Sequence, residues 1–100
     1  MAGDVKRDRK RAAMDRVAKV QEILRRWDPI GVHPGKRAPA DEYDSYAPHI
    51  VSMVAQGCSQ EQLCTHLGTV RTDTMQVRAN RERDWEIASE IIQAVRGEAV

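Results

Sequence analysis

Apolar residues recur along this chain at helical spacing. Ala13, Val17, Val20, Leu24 and Trp27 follow one another at alternating intervals of four and three, one stripe widened by Ile23. Upstream the same stripe falls on Lys6 and Lys10, so the helix is expected to project or fray there. Asp28-Pro29 ends it, because the residue before a proline is pushed out of the helical region. Residues 28–40 hold Pro29, Pro34 and Pro39 with Gly31 and Gly35, which predicts an extended, turn-rich connection. Helix-to-helix links usually run about 2–8 residues, so this one is long enough to be a candidate for function.

A second helix is predicted from near Asp41. Asp41, Glu42 and Asp44 stand in its first turn, where the positive end of the helix dipole favours acids. Tyr43, Tyr46, Ile50, Met53 and Val54 follow on one face, and Gly57 is a natural stop. Pro48 removes a backbone hydrogen bond, so it implies a kink or a short first helix followed by a new one. Ser59 to Gln62 reads as a capping box opening a third helix, with Leu63 and Leu67 inward. Gly68 is expected to interrupt that helix, and Thr69–Gln76 reads equally as a further turn or two, or as loop. Asn80 caps a last helix whose inner stripe is expected to be Trp85, Ala88, Ile92 and Val95, flanked by Ile91. Strand-like alternation, internal repeats and low-complexity tracts are absent from the sequence. The reading is an all-α fold, a small bundle of about four helices with a long proline-rich loop between the first and second. Its expected core is Val17, Val20, Leu24, Ile50, Met53, Leu63, Leu67, Ala88, Ile91 and Val95.

Composition narrows the picture. At 100 residues the chain is one domain, divided here into a flexible basic arm over 1–12 and a helical domain over 13–97. Leu, Ile, Val and Phe total 19, which makes a thin core that a second copy could complete, so a homodimer is one option. Neither a membrane-spanning run nor a signal peptide is expected, and two cysteines point to a reducing, cytoplasmic setting. The net charge of +1 conceals an asymmetry. Residues 1–27 carry nine Lys/Arg against four Asp/Glu, residues 28–70 two against five, and residues 71–100 five against six. A basic arm of this kind can meet phosphate or an acidic partner, or simply solubilise a helix face.

Catalytic motifs do not emerge. A glycine-rich phosphate loop, a His-Glu-x-x-His helix, a Gly-x-Ser-x-Gly elbow and a Cys-x-x-Cys pair are all missing. Cys64 and His66 lie two apart on a helix and so point to different sides, and Cys64 reads as a buried structural thiol. Asp41 and Asp44 with His49 and His33 could hold a divalent ion, but an acid-rich helix start explains the same residues. The reading therefore assigns no catalytic residues, no metal and no cofactor, and weighs against an enzyme. Lys6, Arg7, Arg9, Lys10 and Arg11 could contact nucleic-acid phosphates without reading sequence. Interspersed Asp4 and Asp8 and the lack of aromatics among them count against it.

The most distinctive pattern is Trp27-Asp28-Pro29-Ile30-Gly31 followed by Asp41-Glu42-Tyr43-Asp44-Ser45-Tyr46, with Leu63 and Leu67 further on. Over about Ile23 to Val95 this arrangement resembles a family of small bacterial helical domains of unknown function. The resemblance implies an all-helical fold and a bacterial cytosolic source, and it supplies no catalytic residues. It also implies that the two segments meet in space. The function expected from all this is a non-catalytic helical protein-binding module, in one form immunity- or antitoxin-like, using an acidic and aromatic surface. Its expected contact residues are Trp27, Asp28, Ile30, His33, Asp41, Glu42, Tyr43 and Asp44. The alternative is a nucleic-acid-associated protein using the basic arm.

Overall fold

The first helix, α1, runs over Ala2–Trp27 and carries the predicted stripe inward only along its C-terminal half. A computed structural model describes the backbone over residues 2–31 and 42–97, and the side chains over 11–31 and 42–97. Val20, Ile23, Leu24 and Trp27 are buried, Val17 is half-buried, and Ala13 is exposed. The backbone of residues 2–12, expected as an arm, continues α1 without a break. At Asp28 the backbone turns left-handed, φ +39°, a conformation that aspartate tolerates better than most residues. Asp28 N–H still donates to the Leu24 carbonyl (3.1 Å), and Gly31 N–H closes a turn on the Asp28 carbonyl (3.1 Å).

Pro48 is accommodated by splitting the second helical segment rather than kinking it. A single 3-10 turn, Asp44–Tyr46, leads into α2, Ala47–Ala55, and places Pro48 in the first turn of α2 where no N–H is needed. Asp41, expected near the start of this segment, lies outside the described residues. Gly57, at φ +94°, ends the run as predicted. The capping box forms: Gln62 N–H donates to Ser59 Oγ (3.0 Å), and Ser59 N–H donates to Gln62 Oε1 (2.8 Å). It opens α3, Gln60–Thr69.

Gly68 does not interrupt α3, which corrects the expectation. A glycine in helical φ,ψ weakens a helix without stopping it, and here the chain continues into a π-helical turn, Val70–Thr74. The wide turn is closed by Met75 N–H donating to the Val70 carbonyl (2.9 Å). Asn80 Oδ1 then accepts from Arg83 N–H (3.1 Å) and opens α4, Arg81–Arg96, as predicted.

The inner face of α4 is turned by about one position from the expected stripe. Asp84, Ile87, Ala88, Ile91 and Val95 are buried, whereas Trp85 is 44% exposed and Ile92 half-buried. Both registers satisfy helical spacing, and choosing the tryptophan over an aspartate misplaced the face. Met53 is likewise half-buried rather than central. Val17 is half-buried too; the remaining core residues stand where the pattern put them, joined by Tyr43, Ala47, Val54, Cys64 and Val70. Helix α4 is the hub, packing on α3, on α1 and more lightly on α2, while α1 also packs on α2. Arg96 fastens its far end by donating to the carbonyls of Cys58 (2.6 Å) and Val54 (3.3 Å). The fold is a small all-α bundle, and among the described residues there is no strand.

Candidate functional site

The Trp27–Gly31 turn and the segment carrying Tyr43 do meet in space, joined by hydrogen bonds. Tyr43 lies fully buried beneath the turn, its hydroxyl donating to Asp28 Oδ1 (2.6 Å) and accepting from Ile30 N–H (3.3 Å). Burial pushes the Tyr43 phenol well above its ordinary value, and donation to a carboxylate pushes it further. The Tyr43 ring lies 6.1 Å from the Trp27 ring at a tilt of 59°, a favourable aromatic pairing.

On the other side of Trp27 sits a charge pair that the sequence reading missed. Asp84, 1% exposed, accepts from Trp27 Nε1–H (2.8 Å) and from Arg71, whose Nε–H reaches both carboxylate oxygens (3.2 Å each). A second guanidinium nitrogen of Arg71 donates to Asp84 Oδ1, and the guanidinium carbon lies 5.5 Å from the Trp27 ring centroid. Arg71 is supplied by the π-helical turn and Asp84 by the start of α4. A buried pair needs this density of hydrogen bonds, because removing two charges from water costs several kcal/mol per ion. One clue lay in the α4 register: Asp84 falls on the same face as Ile87, Ala88, Ile91 and Val95.

The expected contact residues take the following places. Trp27 and Tyr43 are buried in the core, so neither ring is exposed on that surface. Asp28 is half-buried and accepts from Tyr43; Asp44 is half-buried and pairs with Arg25 (3.1 Å). Its Oδ1 is buried without a hydrogen-bond partner among the described residues. Ile30 and Glu42 are exposed, and His33 and Asp41 lie outside the described residues. Of the alternative basic site, Arg11 is exposed, and the side chains of Lys6, Arg7, Arg9 and Lys10 lie outside the described ones.

Two of the concave surfaces among the described residues bear on function. A cleft of about 290 Å³ between α3 and the start of α4 is bordered by Cys64, Thr65, Thr69, Asn80 and Asp84. Cys64 is buried there, with Sγ 3.7 Å from the Arg81 carbonyl, and burial pushes its thiol above the ordinary value. That is the opposite of an activated nucleophile, which needs a lowered thiol. Among the described residues no three His, Cys, Asp or Glu side chains converge as metal ligands, and no helix is long and apolar enough to cross a membrane. The second surface is a shallow, largely apolar groove of about 450 Å³ on α1, lined by Ala13, Met14, Val17, Ala18 and Gln21. Met14 there is 62% exposed. Basic Arg11, Arg16 and Lys19 are exposed along the same stretch, against one acid, Asp15.

The motif that looked most like a contact surface is thus an internal lock, and the open apolar surface lies on α1. No protein-family model, curated protein or solved structure matches the chain.

Proposed function

We propose that the protein is a non-catalytic helical protein-binding module that presents the projecting part of α1 to an acidic, amphipathic helix of a partner protein. The observation that carries this reading is the apolar groove around Met14, on a stretch of α1 whose exposed charges are Arg11, Arg16 and Lys19 against Asp15. An exposed apolar strip on a helix segment of net positive charge favours a partner with an apolar stripe and net acidic charge. The Trp27–Asp84–Arg71 lock supports the reading by holding the root of α1 rigid, so less order is lost on binding. An immunity- or antitoxin-like role through an acidic face has less support, since Asp28 and Asp44 have internal partners. A bacterial, cytoplasmic setting belongs to the same proposal and rests on the motif resemblance and on two free cysteines.

The test is capture from a native lysate on the wild type and on Met14→Glu, with thermal unfolding confirming that both baits are folded. The expected result is a protein held by the wild type, released by salt, and lost from the variant. Material that disappears on nuclease treatment and binds Met14→Glu undiminished would replace this reading with the nucleic-acid one.

A further inference from the structure

His49 stands in the first turn of α2 and His66 in the last turns of α3, and their rings face one another across the two helices with centroids 5.0 Å apart and planes tilted by 53°. Nothing in the lock or the α1 groove uses them. Two imidazoles sharing one tetrahedral ion each place a nitrogen about 2.0–2.1 Å from it, and a ring nitrogen lies about 1.1 Å from its centroid. At the tetrahedral angle those lengths put the centroids about 5.2 Å apart, and at a right angle about 4.5 Å. The observed separation lies between these values.

We infer that His49 and His66 form an exchangeable two-histidine site for a late first-row divalent ion such as Zn²⁺ or Ni²⁺. Imidazole nitrogen suits these ions, whereas the oxygen-seeking Mg²⁺ gains nothing from it. Each ring comes from a separate helix, so the site is held by the packing of α2 on α3 rather than by one flexible segment. With no third protein ligand among the described residues, water completes the coordination and the ion exchanges readily.

Calorimetric titration of the full chain with Zn²⁺ and Ni²⁺, alongside His49→Gln and His66→Gln, tests this. Expected are one ion per chain, a raised melting temperature with either ion but not with Mg²⁺, and at least about tenfold weaker binding in each variant. The exposed His49 keeps the test decisive should His66→Gln fold poorly. Absence of binding at millimolar ion, or binding that both variants leave unchanged, overturns the site. The second of these results would place the ion on the cysteines or on His33.

Discussion

The two halves of α1 share one amphipathic pattern and have opposite fates. From Val20 to Trp27 the stripe is buried against α2 and α4; at Val17 it is half-buried, and at Ala13 it looks into solvent. Length explains the difference. At 26 residues α1 is about 39 Å long, while α4, at 16 residues, is about 24 Å, so α1 outruns α4 by about 15 Å. Where the helix does have neighbours, it is also pinned at its end, with Trp27 bound to Asp84, Arg26 paired to Glu90 (3.0 Å), and the Arg26 carbonyl accepting from Arg83 (3.0 Å). Amphipathic spacing specifies a helix, but whether its apolar face becomes core depends on what the rest of the chain is long enough to reach.

The comparison breaks most severely at Asp84. Replacing it with alanine leaves the Arg71 charge buried and the Trp27 indole without its acceptor, and should cost about 3–5 kcal/mol. A double change, Asp84→Leu with Arg71→Met, should be markedly less destabilising than Asp84→Ala in urea unfolding, because no charge is stranded. If the double variant is the worse of the two, the pair supplies net stability rather than only tolerating burial.

Leu24 and Met14 then separate the two halves directly. Leu24→Ala should cost about 2–5 kcal/mol, since its side chain is fully buried. Met14→Ala should change stability by no more than about 0.5 kcal/mol. Comparable losses at the two positions would mean that the outer half of α1 is covered in the free protein.

Tyr43 sharpens the comparison at the turn itself. Tyr43→Phe removes the bond to the Asp28 carboxylate and should cost about 1.5–3 kcal/mol. Its pH signature is specific. Because the phenol is raised in the fold, the unfolded chain loses its proton first, at about pH 10. The unfolded state then binds fewer protons, so stability is full below about pH 10 and falls as pH rises beyond it. The wild type should show that alkaline loss and Tyr43→Phe should not, which unfolding free energies measured from pH 8 to 11 will decide.

What the sequence disclosed followed the range of the interaction. The Ser59–Gln62 box, the Asn80 cap, the Gly57 stop and the splitting of the helix at Pro48 are all decided within four or five residues, and all were readable. The Arg71–Asp84 pair was not, because a carboxylate is a plausible inward residue only once its arginine and indole partners are known to be near. That ignorance rotated the predicted face of α4 onto Trp85. The Trp27–Gly31 and Tyr43 segments were correctly set apart as unusual and wrongly turned outward: rigid aromatic and proline groups suit a binding surface and a tightly bonded internal corner equally well. Ala13 and Val17 read as part of the inward stripe, because the spacing alone does not say where along α1 the core stops.

The chain has two tryptophans in contrasting surroundings, and this gives it an optical consequence. Trp27 is 3% exposed, hydrogen-bonded to a carboxylate and overlaid by a guanidinium, whereas Trp85 is 44% exposed on the outer side of α4. Emission from Trp85 should stay close to that of a solvated indole whether or not the bundle is assembled. Trp27 emission should shift when the end of α1 leaves Asp84. A Trp85→Phe variant would therefore make the intrinsic fluorescence a single-site readout of the docking of α1, with no attached dye.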